Sequence, residues 1–147
     1  MPLGLLCVAA PLVQAGYRVR ILDQRVDADW RQALESELGE GPLCVGISSS
    51  TGPQLRYALE ASRLIKKHPG IPVVWGGVHP SILPEQTLAE ECVDYVVQGE
   101  GEETFLELVQ AIESQSPPGD VRGIWYKADG RVLHTPSRPF VDLSRQP

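Results

Sequence analysis

Val73-Val74-Trp75-Gly76-Gly77-Val78-His79-Pro80 says more about this chain than any other stretch. An apolar run ends in a glycine pair, and a proline follows close behind. Such a run reads as a strand of a parallel sheet whose carboxyl end opens onto a ligand-sized gap. Neither Gly76 nor Gly77 has a Cβ, so something flat or extended can lie against the backbone there. The pattern has a counterpart upstream, where Cys44-Val45-Gly46-Ile47 runs into Ser48-Ser49-Ser50-Thr51-Gly52. One strand end is rich in hydroxyls and the other is paired in glycine. Together they describe a surface for the tail of a cofactor.

Between these strands, residues 53–67 read as a helix with Leu55, Ala58, Leu59, Ser62 and Ile65 toward the sheet. Pro53 suits its first turn and Lys66-Lys67-His68 its carboxyl end. Upstream, residues 3–15 read as a helix with Leu3, Leu6, Ala10 and Val13 on its inner face, kinked or divided at Pro11 and ended by Gly16. Tyr17-Arg18-Val19-Arg20-Ile21-Leu22 reads as a strand. Residues 28–38 read as a helix with Trp30, Leu34 and Leu38 inward and Asp27 or Asp29 as its cap. Downstream come a short helical stretch from Pro84 to Ala89, a strand at Tyr95-Val96-Val97 and a helix at 102–114 that buries Phe105, Leu108, Val109 and Ile112. Asp129-Gly130 between residues 123–128 and 131–134 signals a type I′ hairpin.

Short strands alternating with amphipathic helices imply an α/β fold: a three-layer, open, mostly parallel sheet with a C-terminal β-hairpin. Ligands of such sheets bind beyond the strand carboxyl ends, where the strand order reverses. Residues 1–116 form the α/β unit, 117–135 the hairpin, and 136–147 the start of a linker to a further domain.

The chain has 147 residues, 42% of them hydrophobic and 22% charged, which suits one domain with a real core. The formal charge of -6, with no basic cluster beyond Lys66-Lys67, speaks against nucleic acid and acidic lipid as partners. No apolar run reaches the roughly 20 residues of a membrane span. Cys7, Cys44 and Cys92 share no metal-ligand spacing, and their odd number argues against a disulfide scaffold. Their use points to a reducing cytoplasm, with Cys7 and Cys44 as small buried apolar groups. No Cys-x-x-Cys is present, so the chain offers no iron–sulfur site of its own.

At this point the residues resemble a known family. Pro2-Leu3-Gly4-Leu5-Leu6, Ala15-Gly16-Tyr17-Arg18-Val19 and Ile21-Leu22-Asp23 are similar to the opening of a cobalamin-binding domain. So are Gly76-Gly77-Val78-His79-Pro80, the run from Asp94 to Glu102, and the Gly123…Tyr126…Gly130 hairpin. The domain resembled is the N-terminal one of cobalamin-dependent radical S-adenosylmethionine enzymes, a family of methyltransferases and of anaerobic magnesium-protoporphyrin monomethyl ester oxidative cyclases. The resemblance covers essentially the whole chain and implies a flavodoxin-like, Rossmann-like fold. It implies that Ser48, Ser49, Ser50 and Thr51 line the cofactor's nucleotide tail and that Gly76 and Gly77 let it pass close to the backbone. Val78 and His79 would border the cleft, and Gly99, Glu100 and Gly101 would stand on its far side. It implies base-off cobalamin without histidine on cobalt, because Asp23-Gln24-Arg25 has no histidine two residues after the aspartate. The [4Fe–4S] cluster and S-adenosylmethionine would belong to a C-terminal domain beyond this sequence, so the chain is a module and not a complete enzyme.

Members of that family open with a strand placed centrally in the sheet, ahead of the segment that here starts at Pro2. Without that strand, residues 17–22 are expected to shift and pair with 43–47, and exposed or swapped sheet edges would favour a homodimer.

Plainer readings stand beside these. Ser48 to Thr51 can serve as a helix cap region, Gly76-Gly77 as a tight turn, and Trp30, Trp75 and Trp125 as packing residues. His79 reads as a non-ligating contact in the cleft. His68 and His134 have no acidic or thiol partner at useful spacing. Two rival functions remain open: a flavodoxin-like module holding another phosphate-containing cofactor, and a non-binding oligomerisation remnant. No Gly-x-Gly-x-x-Gly is present to support a dinucleotide.

Overall fold

The computed structural model describes residues 2–139. Five strands form one open sheet in the order β1-β2-β3-β4-β5: β1 Val45–Ser48, β2 Val73–Gly76, β3 Tyr95–Val97, β4 Ile124–Ala128 and β5 Arg131–His134. The first three are parallel, and the β4–β5 hairpin continues the sheet antiparallel from β3. Asp129 and Gly130 both take positive φ, as a type I′ turn requires.

Among the described residues six α-helices accompany the strands: α1 Leu3–Gln14, α2 Trp30–Gly39, α3 Gln54–Ile65, α4 Val78–Ile82, α5 Pro84–Leu88 and α6 Glu102–Ser114. Alternation along β2 divides its apolar side chains between two cores. Val73 and Trp75 pack with Trp30, Leu34 and Leu38 of α2 and Ala58, Ala61 and Ile65 of α3. Val74 packs on the other face with Leu108 of α6, Val97 and Ile124. The Trp75 indole N–H donates to Ser62 Oγ at 2.9 Å, so this buried aromatic leaves no orphan donor. Over β1, Gly46 is bare because the Phe105 ring of α6 comes within 2.9 Å of where its Cβ would stand.

Several expectations are corrected. Residues 17–22 belong to no helix and no ladder among the described residues, so they neither form the expected strand nor pair with β1. Side chains hold this segment instead. Tyr17 donates to Glu113 of α6 at 2.5 Å, Arg18 and Arg20 face Glu40 and Glu37, and Gln24 donates to the Tyr57 carbonyl at 3.4 Å. As a consequence the described strands run in sequential order, without the reversal at which a ligand site was expected.

The inner face of α1 is also not the one expected. Leu3, Leu6, Ala10 and Val13 are exposed, whereas Leu12 is buried and Leu5, Val8 and Ala9 half-buried. The helix is apolar on every side and lies against α6, so one apolar face stays in water whichever way it turns. Pro11 does not divide it; α1 runs unbroken to Gln14. Cys7 is exposed for the same reason, against the expected burial. Asp29 takes the cap position of α2, though its side chain makes no capping bond. His68 does find an acid: its Nε2 lies 2.9 Å from Glu35 Oε2 on α2.

Candidate functional site

Three loops leave the carboxyl ends of β1, β2 and β3, and hydrogen bonds stitch them into one surface. The Ser49 N–H donates to the Gly76 carbonyl at 3.0 Å, and the Ser49 carbonyl accepts from His79 N–H at 3.2 Å. This brings the hydroxyl-rich loop against the glycine pair. Gly77 has φ +101°, and a Cβ there would lie 2.7 Å from Ser49 O and 3.1 Å from Ser49 N. A real side chain cannot occupy that space, so Gly77 is needed for two loops to meet. Gly76 differs: a Cβ would find Val97 at an ordinary 3.9 Å.

The third loop joins through Ser81. Its hydroxyl donates to the Gly77 carbonyl at 2.7 Å and accepts from Gly99 N–H at 3.0 Å. Gln98 fixes the same corner, donating to Ser81 O at 3.1 Å and accepting from the Trp125 indole at 2.9 Å. Sequence reading passed over Ser81 and Gln98. The signal for Ser81 was its place four residues after Gly77, the spacing at which a helical serine bonds back to a carbonyl.

The residues singled out from sequence therefore share one edge but not one exposure. Ser48, Ser50, Thr51, Val78, Gly99 and Glu100 face solvent, Gly76, Gly77 and Gly101 partly so, while Ser49 and His79 are buried. Ser49 holds the loop from beneath. The His79 Nδ1 sits 3.3 Å from Thr51 Oγ1, so its ring secures the hydroxyl loop from inside. On the far side Glu102 and Glu103 occupy the first turn of α6, where the helix dipole favours them. A hollow of about 420 Å³ lies on the outer side of α2 and α3, and one of about 290 Å³ at the amino ends of β2 and β3. Neither borders the stitched loops. Among the described residues no three His, Cys, Asp or Glu side chains gather as a metal site, and no helix is long and apolar enough to cross a membrane.

Residues 1–109 match the family described as B12 binding domain. The chain belongs to the B12-binding domain family. This B12-binding domain is 31% identical over 148 residues to the anaerobic magnesium-protoporphyrin IX monomethyl ester cyclase of Synechocystis, covering 95% of the chain and 29% of that protein. It is 33% identical over 167 residues to the cytidylyl-2-hydroxyethylphosphonate methyltransferase of Streptomyces wedmorensis, covering 98% of the chain and 31% of the relative. The B12-binding domain thus spans about a third of the length of these curated relatives. Its fold is that of the radical S-adenosylmethionine methyltransferase TsrM from Kitasatospora setae, solved with cobalamin and a [4Fe–4S] cluster bound. That likeness has a TM-score of 0.81 at 24% identity over 99% of the chain and 28% of TsrM.

Proposed function

We propose that the chain is the cobalamin-holding module of a radical S-adenosylmethionine enzyme and that the stitched carboxyl edge receives the cofactor. The observation that carries this reading is the junction of Ser49 and Gly77, which sets exposed hydroxyls beside a glycine pair at the edge where α/β sheets take ligands. The donor set suits the group. Ser48, Ser50 and Thr51 offer hydroxyls to the phosphate and ribose of the nucleotide tail. The Gly99-Glu100-Gly101 side, next to the carboxylates of Glu102 and Glu103, takes amide and hydroxyl donors and not phosphate. Val78, more than half exposed, supplies apolar wall for the flat base.

His79 serves the site without ligating cobalt. Its buried ring is engaged with Thr51, and this supports a base-off cofactor with no histidine beneath the metal. Bound cobalamin supplies a cobalt that can carry a methyl group. The parent reaction is methyl transfer or oxidative cyclisation, with the [4Fe–4S] cluster and S-adenosylmethionine held by another domain of the parent enzyme. In this reading residues 1–116 bind, 117–135 complete the sheet, and 136–147 lead onward; residues 140–147 lie outside the described residues. Three free thiols suit a reducing cytoplasm.

A homodimer is a second element of the proposal, supported by β1, whose outer edge has no strand partner among the described residues. Light scattering tests it: a dimer mass is expected, and a monomer at high concentration contradicts it.

The binding reading is tested by titrating the purified chain with hydroxocobalamin while recording the visible spectrum, with gel filtration for co-elution. Stoichiometric uptake with a base-off spectrum is the expected result. A folded sample that takes up none contradicts it, and uptake of flavin in its place would favour the flavodoxin-like alternative.

A further inference from the structure

In a chain of net charge -6, the outer face of α3 is positive. Arg56, Glu60, Arg63 and Lys67 follow one another at i, i+4, i+7 and i+11, the spacing of a single helix face. Arg31 of α2 faces them. Its Nε–H donates to Glu60 Oε1 at 2.6 Å, and its guanidinium stands 4.5 Å over the Trp30 ring. These five residues and Leu64 line the hollow of about 420 Å³ between α2 and α3. Four cations against one carboxylate leave the groove at +3.

Arg122, Lys127 and Arg131 stand outside this groove without an ion pair among the described residues, but here three unpaired cations gather in one place. Arg18, Arg20, Arg25, Lys66 and Arg138 each meet a carboxylate within 4 Å. Arg56, Arg63 and Lys67 are exposed and form no ion pair among the described residues. Arg63 on α3 and Lys67 in the turn just past its end add to one positive surface. Glu60, the carboxylate that could relieve them, is engaged by Arg31.

We propose that this groove docks an acidic helical segment of a partner protein. Arg56 and Arg63 stand about two turns apart on α3, roughly 10 Å, with Lys67 in the turn just past its end, and carboxylates at matching spacing on a second helix would face them. Leu64 in the lining gives the partner's aliphatic stems an apolar contact. A polyphosphate chain fits less well, because Glu60 stands among the cations and the surrounding protein is acidic. The inference stands whether or not the hydroxyl-rich loop holds cobalamin.

The test uses a fluorescein-labelled peptide of about 15 residues, alanine-based with glutamate at i, i+4, i+7 and i+11. Its glutamine counterpart and an oligothymidylate of similar length serve as comparisons, and anisotropy is the readout. Saturable binding of the glutamate peptide is expected near 20 mM salt, weakened about tenfold near 200 mM as the charges are screened. The Arg56→Glu/Arg63→Glu double variant, and separately Lys67→Glu, are expected to weaken it at least about fivefold while circular dichroism stays as in the wild type. No saturable binding at low salt, unchanged binding by both variants, or equal binding of the glutamine peptide would overturn the proposal. Tighter binding of oligothymidylate would overturn it in favour of nucleic acid.

Discussion

The β2–β3 half of the sheet and the α1–β1 half are made of the same apolar residue types, yet they bury them unequally. Val73, Val74, Trp75 and Val96 are each at most 2% exposed, whereas Leu3 is 68% and Val13 58% exposed. Each of β2 and β3 has a ladder partner on both sides and a helix on each face. In contrast, β1 has one ladder partner among the described residues, and residues 17–22 join no ladder. Burial in a parallel sheet comes from in-plane neighbours as much as from the apolar pattern, because an unpaired strand leaves the helix above it nothing to cover. Two of the three stitched loops leave the well-packed β2 and β3, and Ser49 ties the loop from β1 to them. Their hydrogen bonds have rigid strands behind them, and this is what lets Ser49, Gly77 and Ser81 hold a surface in place.

The largest expected effect lies in the packed half. Trp75→Ala should cost about 3–5 kcal/mol in urea unfolding, since it opens a cavity and removes the indole donor to Ser62 Oγ. Leu3→Ala, in the other half, should change stability by less than about 0.5 kcal/mol. Comparable losses at the two positions would erase the distinction between the halves. Next comes Gly77→Ala, expected to cost about 2–3 kcal/mol because a positive φ and the Ser49 backbone both oppose a methyl group. The comparison is Gly52→Ala, where φ is also positive but nothing lies within 4 Å; it should cost only about 1 kcal/mol. Ser81→Ala should cost about 1 kcal/mol and loosen hydroxocobalamin binding, by releasing Gly77 and Gly99 from one another. Wild-type affinity in that variant would show that the third loop does not belong to the site.

The smallest effect is chemical. Burial pushes the Cys44 thiol up to about 11, so it remains protonated near pH 8. Iodoacetamide should modify exposed Cys7 first, with Cys44 and Cys92 following only on unfolding. The folded chain holds the Cys44 proton more tightly than the unfolded chain. Its contribution to stability is therefore complete below the ordinary thiol value and lost as pH rises through about 11. Equal labelling of Cys44 and Cys7 in the native protein would contradict the burial assigned to β1's approach.

Legibility in the sequence followed the same division. Helices α2, α3 and α6 have their apolar residues at helical spacing with polar ones between, and their inner faces read correctly at Trp30, Leu34, Leu38, Ala58, Ile65 and Leu108. The hairpin was legible because Asp129-Gly130 leaves few other conformations. By contrast, Leu3–Gln14 is apolar all round, so its inner face could not be chosen from spacing. Tyr17–Leu22 carries strand residues, but ladder formation depends on a neighbour that local sequence does not reveal. At the site, Gly77 and the hydroxyl run stood out as residue types. The Ser81 bond back to Gly77 follows a local spacing, but the burial of Ser49 and His79 and the bridging by Gln98 arise from loops meeting across distant sequence, so no local pattern announces them.

Amide hydrogen exchange of the chain with and without hydroxocobalamin tests the central claim most directly. Binding at the stitched carboxyl edge should slow exchange in the segments 48–52, 76–81 and 98–102 and leave α2 and the outer face of α3 unchanged. Unaltered exchange in those three segments, or protection confined elsewhere, would contradict the assignment of the site to that edge.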